Sequence, residues 1–201
     1  MRMSSAGRRP RLAAVILAAG GSSRLGLPKQ LLRLRTEPLL VRCCRLAAAQ
    51  VDGPVVAVLG AGRQRLRSLA ARRLPAIATV ANARWPEGLA GSLRTGIAAV
   101  APFADAVLVL LVDQPLVGAA DLERLVTAWR RRPFRPAAAH YHGMPGAPAV
   151  MPRRYFRQIA RLEGDRGARA VLRGIGTVTA VAMPRAAFDV DTPADAAALR
   201  A

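Results

Sequence analysis

Apolar residues come in short, continuous runs that alternate with stretches of helical spacing. Leu12–Ala18 reads as a buried strand, and Val55–Leu59 as a second, bounded by Pro54 and Gly60. Ala76–Val80, Ala106–Val112 and Thr177–Val181 read as further strands, the run from Ala106 being the most strand-like. Pro38–Gln50, Arg63–Arg73, Gly91–Val100, Ala119–Arg131 and Arg153–Leu162 carry helical spacing, and Ala168–Leu172 reads as a short helix. Pro136–Tyr141 and Ala147–Met151 form a candidate hairpin. Thr192 and Pro193 are suited to the N-cap and first turn of a last helix. Strands alternating with helices of about ten residues predict βαβ units. The expected fold is therefore α/β: a single Rossmann-like domain whose mainly parallel sheet has helices on both faces. No repeat or low-complexity linker interrupts the pattern, so residues 12–201 are expected to be one domain, behind a flexible basic tail at 1–11.

A chain of 201 residues, 52% hydrophobic and 21% charged, matches one soluble domain. At this length about 70% of the unfolded surface can be buried without disulfide staples. No apolar run approaches the roughly 20 residues of a membrane span, so no membrane partner is expected. The basic start followed by Leu12–Ala19 imitates a signal peptide, but Gly20-Gly-Ser-Ser-Arg24 breaks the run and no small-x-small cleavage site follows. The adjacent pair Cys43 and Cys44 cannot form a relaxed disulfide, and no second pair exists for a zinc site. Two reduced thiols and a cytoplasmic location are expected.

The net charge of +19 is extreme, yet all 31 basic residues except Lys29 are Arg, spread evenly along the chain. A nucleic-acid binder clusters its charge or interleaves aromatics, which are only 4% here. No specific nucleic-acid partner is expected. Weak binding at low salt is a side effect of the charge, which would also draw in a polyanionic substrate.

Three chemically loaded segments fall at predicted strand ends, where open α/β sheets bind ligands: Gly20–Lys29, Asp113 and Asp189–Asp191. Gly20 and Gly21 allow close backbone approach to an anion, and N–H groups in such a turn can cradle phosphates. The spacing is neither the dinucleotide fingerprint nor a Walker loop, because Lys29 comes three residues after Gly26. It does match L-A-A-G-x-S-x-R-x-G-x-x-K, the signature of nucleotidyltransferases that activate sugars, terpenoid precursors and molybdenum cofactors. Leu17, Ala18, Ala19, Gly20, Ser22, Arg24, Gly26 and Lys29 all fall in register. Asn82-x-x-Trp85-x-x-Gly88 with Ser92-Leu-Arg-Thr-Gly96, Val112-Asp-Gln-Pro115, Gly164-Asp-Arg-Gly-Ala-Arg169 and Asp189-Val-Asp-Thr-Pro193 narrow the likeness. From residue 12 to 199 the chain resembles the molybdenum cofactor cytidylyltransferases. It departs from them at Gly146-Ala-Pro148, where relatives often carry Gly-His-Pro.

That resemblance implies transfer of CMP from CTP to the terminal phosphate of a molybdopterin-type cofactor, with release of pyrophosphate. A client molybdoenzyme of the xanthine dehydrogenase type would follow as a partner. It assigns nucleotide binding to Leu17, Ala18, Ala19, Gly20, Gly21 and Ser22, and the base to Asn82, Gly88 and Ser92. Arg24 would hold the β- and γ-phosphates and Lys29, expected to be exposed on its loop, the α-phosphate. Mg²⁺ would sit on Asp113 and Asp191, with Asp189 as the alternative ligand, because a triphosphate needs a hard cation on carboxylate oxygen. Trp85 is expected to pack, and His140 and His142 to be solvated. The Ala19 methyl, where guanylyl relatives tend to have Gly, is expected to narrow the base pocket against a purine. The alternatives are a transferase of the same fold using GTP or another acceptor, or a non-catalytic basic module that binds nucleic acid or cofactor.

Overall fold

The unbroken apolar run at the start of the chain becomes β1 (Leu12–Ala18), every residue of which is buried. In the computed structural model, which describes residues 8–199, β1 is followed by a short ribbon of β2 (Arg33–Leu34) and β3 (Glu37–Pro38). Then come α1 (Leu39–Ala48), β4 (Val55–Leu59), α2 (Arg63–Arg73), β5 (Ala78–Ala81), α3 (Leu89–Val100) and β6 (Ala106–Leu111). The second half holds α4 (Ala119–Arg131), β7 (Ala137–Tyr141), β8 (Met144–Pro152), α5 (Phe156–Ile159), α6 (Ala168–Arg173), β9 (Thr179–Ala182) and α7 (Pro193–Ala198). One seven-stranded sheet has the order β5-β4-β1-β6-β8-β7-β9. β5, β4, β1 and β6 are mutually parallel, as are β7 and β9; β8 runs against both its neighbours.

Why β1 is apolar throughout follows from its two faces. Leu12, Ala14 and Ile16 join a core with Leu39 and Leu40 of α1 and Leu122 and Leu125 of α4. Ala13, Val15 and Leu17 join a second core with Leu93 and Ile97 of α3 and Leu172 of α6. Side chains alternate between faces along a strand, so helices on both sides demand a continuous run. Gly96 marks how closely α3 lies on the sheet: a Cβ there would stand 2.4 Å from a Val15 methyl.

Differences from the expected elements are local. Arg153–Leu162 is a 3₁₀ turn followed by the four residues of α5, not one helix. Arg153 is held by Asp105 O and by the carbonyls of Ala101 and Ala104, and Leu162 O accepts from Arg94, so tertiary bonds bend the segment at both ends. The β2–β3 ribbon has too few residues for any periodicity to reveal it. Arg8 pairs with Asp105 at 2.7 Å, and the Arg11 N–H donates to the same carboxylate. The first seven residues of the expected tail lie outside the described residues. Both cysteines are free, and burial pushes the Cys44 thiol up to about 12. No helix among the described residues is long and apolar enough to cross a membrane.

The chain winds from β1 outward to β4 and β5, then returns to lay β6 on the other side of β1. Strand order therefore reverses between β1 and β6, and a crevice opens beyond their carboxyl ends. The loop after β1 and Asp113 after β6 both project there.

Candidate active site

The glycine loop owes its shape to Gln30, a residue the motif reading passed over. Its side chain is 1% exposed and donates from Nε2 to Ala18 O at 2.8 Å and Gly20 O at 3.0 Å. Ser22, at φ +54°, turns its hydroxyl back to accept from the Lys29 N–H at 3.1 Å. Leu25 anchors the far limb in the core. Among the described residues, the N–H groups of Gly21, Ser22 and Ser23 donate to no protein acceptor, which leaves them for an anion. Gln30→Ala should lower stability by about 1–3 kcal/mol, since two carbonyls lose their buried donor. Thermal unfolding and nucleotide affinity read together check this: the affinity should fall with the stability, and an unchanged affinity would mean that Gln30 does not shape the loop.

Lys29 is not on the surface as expected; it is 9% exposed. Its ammonium donates to Asp113 Oδ2 at 3.0 Å and Asp191 Oδ1 at 2.8 Å. Burial by itself would lower its pKa, but the two carboxylates outweigh that and raise it, so the side chain is held charged. The paired acids explain why the loop turns its lysine inward. The backbone brings them together: Val190 N donates to Asp113 O at 2.9 Å, and Val190 itself is buried, so Asp189 and Asp191 flank the mouth of the crevice. The cap of α7 then fixes Asp191. Asp195 accepts from the N–H groups of Asp191 and Thr192, and the Thr192 hydroxyl accepts from Asp195 N, the N-cap expected for Thr192. Arg24 lies at 3.2 Å from the outer oxygen of Asp191, with its guanidinium largely in solvent. Loss of surrounding water, with Asp113 and Asp191 close by, pushes Asp189 up to about 6.

Does this donor set suit a divalent cation? Asp113 Oδ1 is buried with no hydrogen-bond partner among the described residues. Among the described residues no three His, Cys, Asp or Glu side chains converge to hold a bare ion. Mg²⁺ is commonly held by one or two carboxylates plus substrate phosphates. A free carboxylate oxygen on Asp113 beside Asp191 fits that arrangement.

A cleft of about 360 Å³ runs from this centre along Leu17, Ala19, Gly20 and Leu111 to Trp85, Gly88, Leu89 and Ser92. Trp85 packs as expected. Its ring lies over Gly21, where a Cβ would come within 2.7 Å, and it also covers Gly60. Gly88 has φ +112°, and a Cβ there would stand 2.3 Å from the Gly164 carbonyl carbon. Gly164 O in turn accepts from Ala90 N at 2.9 Å, so the Gly164–Arg169 turn closes the cleft wall and puts Asp165 on it. Ser92 is on the wall; Asn82 is not. Asn82 is buried behind it, donating to Ser92 Oγ at 3.1 Å and accepting from Arg84 N. Its amide orients Ser92 and the Trp85 segment. Leu17 and Ala18 lie beneath the loop, with Ala18 1% exposed.

Gln114 also turns out to be a tie. Its Nε2 donates to Ala186 O at 2.7 Å, Ala147 O at 3.2 Å and the Tyr141 hydroxyl at 3.3 Å. Tyr141 OH accepts from Arg169 at 2.8 Å. These bonds join the Asp113 turn to the hairpin and to the segment that leads into Asp189.

A doubly wound sheet, a glycine loop at its switch point and a carboxylate–lysine cluster beside it define an α/β domain with a candidate anion site. Residues 14–181 match the MobA-like NTP transferase domain, and the chain belongs to that family. A probable molybdenum cofactor guanylyltransferase of Synechococcus elongatus is 38% identical over 127 residues, covering 60% of this chain; the chain spans about 57% of that relative's length. The crystal structure of Rv0371c from Mycobacterium tuberculosis H37Rv is similar at 32% identity with TM-score 0.80, over 96% of this chain and 98% of that one. A second structure of Rv0371c, in complex with manganese, is similar at 30% identity with TM-score 0.74, over 94% and 97%.

Proposed function

We propose that this chain is a nucleotidyltransferase that moves a guanylyl group from GTP to the terminal phosphate of a molybdopterin-type acceptor, releasing pyrophosphate. The observation that carries the transferase reading is Lys29, held between Asp113 and Asp191 at the edge of a loop with unused N–H groups. An ammonium has three donors, and among the described residues two are engaged. The third is free to meet an α-phosphate oxygen as charge builds on it. The loop N–H groups take the triphosphate, and Arg24 forks toward the departing β- and γ-phosphates. An acceptor phosphate oxygen attacks the α-phosphorus while its bond to the bridging β-oxygen breaks, and the pyrophosphate carries away the electron pair. The nucleophile is already anionic, so no general base is required. Positioning and charge stabilisation supply most of the rate. Asp113 and Asp191 would hold a divalent cation, which neutralises phosphate charge; that the similar Rv0371c forms a complex with manganese favours a divalent cation as partner.

The choice of base rests on the relatives and on Ala19. The named relatives of the molybdenum group are guanylyltransferases, which favours GTP over the CTP expected above. Ala19 is 4% exposed and belongs to the core on the α3 face, so its methyl has little surface with which to exclude a purine. Pyrophosphate release from each of the four nucleotides, with and without the acceptor, tests both parts. The expected result is acceptor-dependent release with GTP preferred over CTP by about tenfold or more in kcat/KM. A preference for CTP would restore the cytidylyl reading, and release with no nucleotide would defeat the transferase assignment.

A further inference from the structure

Thirty-one basic residues make positive surface abundant in this chain, so charge alone marks nothing. Convergence does. Beside the β2–β3 ribbon lies a depression of about 520 Å³ into which Arg35, Arg42, Arg45 and Arg185 all face, with Glu37 as the one acid. Glu37 is already consumed: Arg45 grips it with two bonds, at 2.9 and 2.8 Å. Arg42 is half-buried and spends one nitrogen on Val117 O at 3.1 Å. The guanidinium groups of Arg35 and Arg185 have no hydrogen-bond or ion-pair partner among the described residues. Three guanidinium groups are thus gathered in one concavity without a counter-charge. Arg35 is moreover held at φ +56°, a left-handed conformation uncommon for a side chain of this size.

We propose that this depression is a second anion site, taking a small phosphate-bearing molecule outside the nucleotide cleft. Planar guanidinium forks match phosphate oxygens in pairs, and Arg42, half-buried with only a carbonyl on one nitrogen, is stabilised by an anion that reaches it. Burial, and repulsion from Arg45 and Arg35, lower the pKa of Arg42 despite Glu37, which is the direction expected where cations crowd one another. The volume suits a small molecule. Leu34 and Leu116 on the rim, the latter 37% exposed, offer apolar contact to the part of the ligand that carries no charge.

Apart from α1, which brings Arg42 and Arg45, the walls of the depression continue segments that carry an active-site group. The ribbon follows Lys29, Pro115 and Leu116 follow Asp113, and Arg185 precedes Asp191. Occupancy therefore bears on the backbone that sets those groups, without touching them.

The test is calorimetric titration of the metal-free full chain with inorganic pyrophosphate at about 0.15 M salt, where long-range surface attraction is screened. One binding event should weaken at least about tenfold in Arg35→Ala/Arg185→Ala, and by a smaller factor in Arg185→Ala alone. Both residues are exposed, so melting should be unchanged. Arg63→Ala/Arg65→Ala on α2 removes the same charge from exposed helix positions and should leave that event intact. Equal weakening in the two double variants would overturn the proposal in favour of the general field of the protein. So would a glutamate-rich peptide that displaces pyrophosphate and binds more tightly, because the occupant would then be an acidic polypeptide. Lys29→Ala reports separately on the nucleotide cleft: loss of a different event there leaves the second site standing, and its persistence counts only against the transferase reading.

Discussion

Lys29→Ala is expected to reduce kcat by at least about 10²-fold, or roughly 3 kcal/mol of transition-state stabilisation. The side chain has no substitute among the described residues, for Arg24 is directed outward and bonds the far oxygen of Asp191. Because Lys29 is buried between two acids, the variant should also be less stable without metal. Asp113 and Asp191 would face each other with only Arg24, on the outer oxygen of Asp191, as counter-charge, at a cost of about 1–3 kcal/mol after allowance for their partial exposure to solvent. Mg²⁺ should return much of that stability and little of the turnover, since it can replace the counter-charge but not the donor aimed at the phosphate. Melting curves with and without Mg²⁺, beside single-turnover rates, separate the two effects. Near-normal turnover would remove Lys29 from the chemistry, and a melting point indifferent to both lysine and metal would remove the charge cluster as a structural unit.

Asp113→Asn should be the most damaging change at the site, lowering kcat/KM by about 10³-fold, with excess Mg²⁺ restoring only part of it. Asp113 lies two residues past the end of β6, and one of its oxygens is buried with no partner among the described residues while the other holds Lys29. An amide keeps the shape but removes the charge that a hard cation requires. Asp191→Asn should cost only about tenfold. Asp191 is 37% exposed, and both its oxygens already serve cationic side chains, so water can fill part of its role. Metal-dependence curves for the two variants give the ranking directly. If Asp191→Asn proves the more damaging, the cation is centred on the α7 side of the crevice and Asp113 serves mainly to hold Lys29.

Much of this architecture was legible in the chain because local rules and tertiary structure agree. β1, β4, α2 and α4 begin and end where their residue patterns change, since each is bounded by a loop, a cap or a breaker. The loop signature was legible for a similar reason: glycines and a lysine at set spacing survive as a pattern in one dimension. Positions dictated by distant partners were not legible. Gln30 and Gln114 are buried polar residues, and nothing beside them in sequence shows that carbonyls 10 and 12 residues back, for Gln30, or 33 and 72 residues further along, for Gln114, will need donors. Asn82 was placed on the base pocket by its motif, whereas its amide is spent orienting Ser92 behind the wall.

The burial of Lys29 is the clearest case. Composition singled out the residue as the lone lysine, and spacing put it at the end of the glycine loop. A loop lysine with no acid nearby in sequence should face water. Asp113 and Asp191 come from positions 84 and 162 residues further along the chain, and only the reversal of strand order between β1 and β6 brings them to it. Residue type and spacing, being local, determined which groups could do chemistry; the sheet topology decided which of them meet, because a charge is held in a buried place only by partners that the fold delivers.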